Sequence, residues 1–209
     1  MFWIIPLVFL SAFTLSGPLM SHVEQAKYEV VLTDDNGFEI RDYAPALAAE
    51  VEVSGNRQEA IRQGFKMIAD YIFGNNLSSD KVAMTAPVIQ EQSQSIAMTA
   101  PVIRQADGSS WKVRFTMPSA YTRDTLPKPN NDNVKIIDVP GRRFAVIAFS
   151  GAPNDDDLKE KSDLLDEWIG RNHLTAVGAP LYAFYNPPWT LPFFRHNEVL
   201  REINSERNP

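Results

Sequence analysis

Few residues in this chain are spaced for chemistry. It has three histidines, His22, His173 and His196, and no cysteine. Without thiols, disulfides and thiolate-ligated metals are excluded, and the histidine spacing matches no metal-binding pattern. A nucleophile elbow, a phosphate loop, a dinucleotide fingerprint and a His-Glu-x-x-His helix are all missing. Glu50 and Glu52 alternate with Val51 and Val53. Facing a pocket they would form an acid–base pair; on an open strand face they are solvated charges. Asp34-Asp35-Asn36 and Asp155-Asp156-Asp157 lack the spacing and terminal glutamate of a calcium loop, so they read as a turn and a helix cap. The densest remaining feature is aromatic: Tyr182, Phe184, Tyr185, Trp189, Phe193 and Phe194, with Arg195 beside them and Arg142 and Arg143 in an earlier hairpin. Such a cluster either packs an irregular loop or walls a flat ligand. The arginines either hold the ligand's carboxylates or end strands in solvent.

These residues need elements to position them. Hydrophobic residues make up 44% of the 209 and charged residues 22%, which is ordinary for a globular chain with a real core. A net charge of −6 with no basic run gives no nucleic-acid footprint. Phe2–Met20 carries no charge and is rich in Phe, Leu, Ile and Val. Residues 1–26 are therefore expected to be an export signal or an uncleaved membrane anchor, with residues 27–209 as one folded domain outside the cytoplasm.

Within that domain, Tyr28–Leu32 and Phe38–Tyr43 flank an Asn-Gly turn and predict a hairpin. Ala46–Val53 follows as a strand. From Arg57 the period becomes helical, with Ile61, Phe65, Ile68 and Ile72 on one face and Gly74 at the end. Trp111–Met117, Val134–Val139, Phe144–Phe149, Leu181–Asn186 and Asn197–Ile203 read as strands, and Thr125–Asn133 as a proline-rich loop. An acid-capped helix runs from Asp155 to Arg171, with Leu158, Leu165, Trp168 and Ile169 as its stripe.

Two repeats lie over this pattern. Ala-Met-Thr-Ala-Pro-Val occurs at Ala83–Val88 and again at Ala97–Val102. Extended, the copies would pair as strands across a polar connection at Gln90–Ser95, with Pro87 and Pro101 demanding an edge or a bulge. The longer repeat has an offset of 96 residues: Ile40-Arg41-Asp42 resembles Ile136-Ile137-Asp138, and Val53-Ser54-Gly55 resembles Phe149-Ser150-Gly151. At that offset Ala49, Val51, Ile68 and Ile72 fall on Ala145, Ile147, Leu164 and Trp168. The order strand, strand, Ser-Gly, amphipathic helix thus appears twice, which predicts a pseudo-twofold α+β or barrel-like fold.

Several segments together resemble the SOUL haem-binding family: Phe38-Glu39-Ile40-Arg41, both Ala-Met-Thr-Ala-Pro-Val copies, the Trp111–Pro118 strand, Phe149-Ser150-Gly151, and Tyr185-Asn-Pro-Pro-Trp-Thr190 through Asn197-Glu198-Val199. The resemblance covers about Tyr28 to Ile203. It implies a distorted antiparallel β-barrel with two flanking helices and internal duplication, an architecture similar to gyrase-inhibitor-like effector domains. It also implies non-covalent binding of haem or another porphyrin, with no enzymatic step and no nucleic-acid partner. The first helix, carrying Ile61, Phe65, Ile68, Ala69 and Ile72, is implied to receive the tetrapyrrole, although Asp70 stands where a propionate-holding cation would be expected. Met84 and Met98 could lay a thioether on the ring, Trp168 is the repeat counterpart of Ile72, and Arg195 could hold a carboxylate. His196, where the family usually has arginine, is the candidate iron ligand. The alternative is a small-molecule-binding or hydrolytic domain of the gyrase-inhibitor-like type, with Glu50 or Glu52 at a central pocket.

Overall fold

Strand β1 (Tyr28–Thr33) meets β2 (Phe38–Tyr43) through a turn that Asp34 closes. Its Oδ1 accepts from the backbone N–H groups of Asn36 and Phe38, both at 2.9 Å, and Gly37 takes the positive φ of 81° that the turn requires. β3 (Ala46–Ser54) leads into helix α1 (Arg57–Ile72), where the Asn56 side chain accepts from the Glu59 N–H. Then come β4 (Val88–Gln92), β5 (Ser110–Thr116), β6 (Lys135–Val139) and β7 (Arg142–Phe149). Helix α2 (Asp155–Arg171) opens with a reciprocal capping box between Asn154 and Asp157. β8 (Ala176–Phe184) and β9 (Asn197–Ile203) complete the chain. The computed structural model describes residues 24–78, 81–82, 86–92, 110–186 and 189–204.

All nine strands join one antiparallel sheet in the order β1-β2-β7-β9-β8-β4-β5-β3-β6. Exchanging β2 with β6, β3 with β7, β4 with β8 and β5 with β9 reverses the order from β2 to β6 onto itself. A pseudo-twofold axis therefore passes between β4 and β8. The ladders agree: β2 pairs Ile40 with Ala145, and β3 pairs Ala49 with Ile136, each residue 96 positions from its counterpart. Each half lends a strand to the other, since β2 pairs with β7 and β6 with β3.

The helices follow a different offset. Their N-caps, Asn56 and Asn154, lie 98 residues apart, because Ala152-Pro153 is inserted after Ser150-Gly151. Buried Ala60, Gly64 and Tyr71 therefore correspond to buried Leu158, Ser162 and Ile169. The expected match of Ile68 with Leu164 is corrected by this shift: Ile68 is wholly buried, whereas Leu164 is 37% exposed. Arg57 and Asp155, the first residues of the two helices, are mates at the new offset and form an ion pair across the axis.

Two strand expectations also change. Gln90 is not in a polar connection; it is fully buried in the middle of β4, which lies between β8 and β5 rather than at an edge. Pro87 precedes the first ladder residue, Val88, so its missing donor costs no sheet bond. The second Ala-Met-Thr-Ala-Pro-Val copy lies outside the described residues. β8 starts at Ala176, earlier than expected, because Gly178 and Pro180 fall in a register irregularity between Val177 and Leu181 that hides the alternation.

Each helix covers one half of one sheet face. α1 packs Ile68, Tyr71 and Ile72 on Val51, Val113 and Phe115; α2 packs Leu165, Trp168 and Ile169 on Phe38, Ala145 and Val199. At the α1 contact, a Cβ on Gly64 would lie 2.6 Å from Val113 Cγ2 and 2.7 Å from Val113 Cβ. Alanine is the better helix former by about 1 kcal/mol, but overpacking a core costs about 1–3 kcal/mol. Gly64→Ala is therefore expected to lower stability by up to about 2 kcal/mol. A fall in the urea midpoint measures this; a rise would show that α1 does not approach β5 so closely.

Candidate functional site

The α1 stripe divides between core and surface. Ile68 and Ile72 are wholly buried and Ala69 nearly so, which places them against the sheet rather than on a binding surface. Only Ile61 and Phe65 keep partial exposure, and Phe65 leans on Phe115 with ring centroids 5.4 Å apart. Trp168 is buried in the other half. It stacks on Phe38 at 5.3 Å and 7°, and its Nε1–H donates to Asp34 Oδ2 at 2.8 Å. It thus joins α2 to the first hairpin, and the hydrogen bond helps hold the Asp34 carboxyl below its ordinary range although burial acts the other way. Met84 and Met98 lie outside the described residues.

Strand alternation turns a second set of side chains to the face that neither helix covers. There Val146, Ala183 and Leu200 form a small core with Tyr43, Phe144, Leu181 and Tyr185 around it. Buried with them is a polar cluster. Glu198 Oε1 accepts from Arg41 Nη1 at 2.9 Å and lies 2.8 Å from His196 Nε2, while Oε2 accepts from the Tyr185 hydroxyl at 2.6 Å. Arg41 also donates from Nε to Glu39 at 2.6 Å and from Nη1 to the Tyr43 hydroxyl at 3.3 Å, with its guanidinium 4.4 Å from the Tyr28 ring centre. Burial alone would raise the Glu198 carboxyl, but hydrogen bonds from His196, Tyr185 and Arg41, with the Arg41 charge, hold it below its ordinary range. Burial and the nearby Glu198 charge push Tyr43 up to about 12, and Tyr185 is pushed up by the same two causes. The result is a buried ion pair that ties β2 to β9. The sequence pattern does not single it out: Arg41 lies between Ile40 and Asp42, and Glu198 between Asn197 and Val199, so no apolar alternation marks either charge as inward-facing.

On the same side of the sheet, Glu50 accepts from Arg114 Nε at 2.9 Å and also from Nη2. Glu52 is exposed and accepts from the Ser110 hydroxyl at 2.7 Å. Each carboxylate thus engages a partner on β5.

A further concavity was not legible in the strand patterns. It is a cleft of about 480 Å³ where the crossings between the halves meet. Ala44–Leu47, Thr116–Ser119 and Asp138–Pro140 supply its walls, Glu24–Lys27 closes one side, and Tyr121 and Arg123 stand on another. The backbone there is anchored: the Ala44 N–H donates to Lys27 O at 3.0 Å, and the Ser119 N–H donates to Glu24 Oε1 at 3.0 Å. Leu47, Met117, Pro118 and Val139 provide apolar surface, and Lys27 and Arg123 place two cations at the rim. Arg123 pairs with Asp138 at 2.5 Å, with both side chains more than half exposed. Among the described residues, no histidine lines this cleft.

The aromatic cluster separates into two parts. Tyr182, Phe184 and Tyr185 are half-buried on the sheet, but the loop beyond them carries its apolar side chains outward. Trp189 is 82% exposed, Phe193 65%, Phe194 63% and Leu191 56%. Arg195 sits at the foot of this loop, where its Nε–H donates to Thr190 O at 2.8 Å. His196 sits edge-on to Tyr185 at 4.6 Å, and its Nε2 is engaged by Glu198. Neither residue lines the cleft.

Comparison with known proteins accords with this architecture. Heme-binding protein 1 of Xenopus laevis is 28% identical over 167 residues, covering 79% of this chain and 83% of that protein. Heme-binding protein 1 of Mus musculus is 29% identical over 193 residues, covering 88% and 95%. Among solved structures, the C-terminal domain of EcmrR superposes with a TM-score of 0.60 at 10% identity, covering 85% of this chain and 98% of that one. A hydrolase from Listeria innocua gives 0.54 at 11% identity, covering 81% and 92%. At such identities these two structures speak for the fold alone. The model of the SOUL heme-binding protein family matches residues 23–202, and the chain belongs to that family.

Proposed function

We propose that this chain binds haem or a related porphyrin non-covalently in the cleft between its halves, outside the cytoplasm, as a carrier or scavenger with no catalytic step. The cleft is the observation that carries the reading. Its volume falls within the usual span for small-molecule sites, about 300–1,000 Å³, and it combines apolar walls with two rim cations. A tetrapyrrole with two carboxylates matches that chemistry: the ring lies on Leu47, Met117 and Pro118, one carboxylate meets Lys27, and the other meets Arg123 in place of its present partner, Asp138. Binding there is read as apolar contact with the ring, supported by Leu47, Met117 and Pro118 on the walls. The export part of the reading rests on the uncharged segment Phe2–Met20. The hydrolytic alternative needs Glu50 or Glu52 as general base; Glu50 is held by Arg114, and Glu52 accepts from the Ser110 hydroxyl.

Titrating the purified protein with hemin is expected to give a saturable Soret shift at about one site per chain. Lys27→Glu with Arg123→Glu is expected to weaken it about tenfold, since exposed charge contacts are worth about 0.2–1 kcal/mol each. His196→Ala is expected to leave the spectrum of the complex unchanged. Unaltered affinity in the double charge reversal would remove the cleft from consideration. A loss of the Soret shift in His196→Ala would move the site to β9.

A further inference from the structure

The loop from Trp189 to Phe194 is not used by the cleft, and none of the three core clusters includes its apolar side chains. Four large apolar residues on one short segment, each more than half exposed, form an uncompensated patch of the sort that marks a membrane or partner contact. The loop is built to present them. The backbone N–H groups of Phe194 and Arg195 donate to Leu191 O at 2.9 Å and Pro192 O at 3.0 Å, and the Gly151 N–H donates to Pro192 O at 3.0 Å. The Arg195 side chain binds Thr190 O from below. A tied segment with outward aromatics loses little conformational freedom on insertion.

Its position indicates what covers it. β4 pairs Val88 with Phe184, and β9 pairs Asn197 with Phe184, so the loop leaves and re-enters the sheet at the Val88 end. Just beyond that end, the Ala26 N–H donates to Ala86 O at 3.2 Å, and the Ala86 N–H donates to Glu24 O at 3.0 Å. Residue 24 therefore lies at the same end of β4 as the foot of the loop at Phe184. The uncharged stretch Phe2–Met20 ends just before it. If that stretch lies in a bilayer, the same end of the sheet faces the lipid. Trp and Phe suit the headgroup–acyl boundary, where an amphipathic ring is half solvated. With a net charge of −6, apolar insertion rather than attraction to anionic lipid must supply the contact.

We infer that the Trp189–Phe194 loop docks into the lipid–water interface of the bilayer that holds the N-terminal segment, with Trp189, Leu191, Phe193 and Phe194 as the inserted side chains. The domain then stands on the membrane at two points, with the Glu24–Lys27 side of the cleft next to the surface.

The test uses the full chain carrying Trp3→Phe, reconstituted in phosphatidylcholine vesicles with or without brominated acyl chains. Trp168 is buried and Trp111 half-buried within the fold, so quenching by bromine reports on Trp189. Bromolipid is expected to quench the fluorescence, and adding Trp189→Phe is expected to abolish that quenching. Phe193→Ser with Phe194→Ser should cut it by at least half while circular dichroism stays unchanged, because both side chains are solvent-facing. Absence of quenching, or quenching that survives Trp189→Phe, overturns the proposal. So does a Phe193→Ser/Phe194→Ser protein that keeps full quenching but binds hemin more weakly, since the loop would then be a ligand wall. Hemin binding that fails while lipid quenching persists overturns only the tetrapyrrole reading.

Discussion

Arg41→Ala is expected to lower the unfolding free energy by about 3–5 kcal/mol at neutral pH, as removal of one partner of a buried ion pair typically does. Glu198 is 1% exposed and cannot turn to water when the guanidinium goes. It would keep the Tyr185 hydroxyl and His196 but lose its countercharge. The pH dependence carries the sign. In the wild type the Glu198 carboxyl is held below its ordinary value of 4.5, so its contribution is present above that pH and is lost as pH falls through the depressed folded value. Without Arg41, burial, the largest influence on this group, acts with one fewer opponent and raises the carboxyl. The folded state then binds a proton more readily than the unfolded chain, and the variant gains stability as pH falls. The gap between wild type and variant should therefore narrow below about pH 4.5 and be widest near neutrality. Arg41→Met combined with Glu198→Leu should cost much less than the two single changes added together, because no unpaired charge remains. Urea unfolding at pH 7 and pH 4 measures all of this. A change below about 0.5 kcal/mol in Arg41→Ala, the range of an ordinary surface position, would show that the pair is not buried in solution.

The helices and most strands were readable from local pattern because local forces set them. Asn56 and Asn154 cap, Gly74 takes a φ of 114° at the end of α1, and the apolar spacing of each helix matches the face it buries. The 96-residue repeat was equally legible in the strands, where Ile40–Ala145 and Ala49–Ile136 occupy equivalent ladder positions. It failed in the helices because a two-residue loop insertion, Ala152-Pro153, rotates the register without leaving a periodic trace. Gln90 was misplaced for a different reason. A polar residue among Gln and Glu resembles a connection, and only the pairing of β4 with β5 and β8 puts it inside. The candidate site was the least legible part. Lys27, Ala44–Leu47, Met117 and Arg123 come from separate loops that converge only because β2 and β6 exchange between the halves. No spacing along the chain records that convergence. Apolar residues on a helix, by contrast, are easily over-read as ligand contacts, since the stripe that would grip a ring is also the stripe that packs a core.

Ile68→Ala decides between those two uses of the stripe. Ile68 is wholly buried and packs within the cluster that includes Val51, Val113 and Phe115. Truncating it is expected to cost about 2–5 kcal/mol, the usual range for emptying a filled core position. If the tetrapyrrole occupies the cleft, the folded fraction of Ile68→Ala should bind hemin with unchanged affinity, because the cleft is lined from other segments. Lys27→Glu with Arg123→Glu should do the reverse, leaving the urea midpoint nearly unmoved while weakening hemin, since Lys27 is exposed and Arg123 more than half so. Measuring stability and hemin affinity on both variants thus gives two independent axes. A cleft site puts each variant on its own axis. A helix-face site would instead appear as weaker hemin binding in folded Ile68→Ala, at a stability close to wild type. That outcome is hard to reconcile with a side chain that has no surface to offer a ring, so the two axes test the burial of Ile68 as directly as they test the location of the ligand.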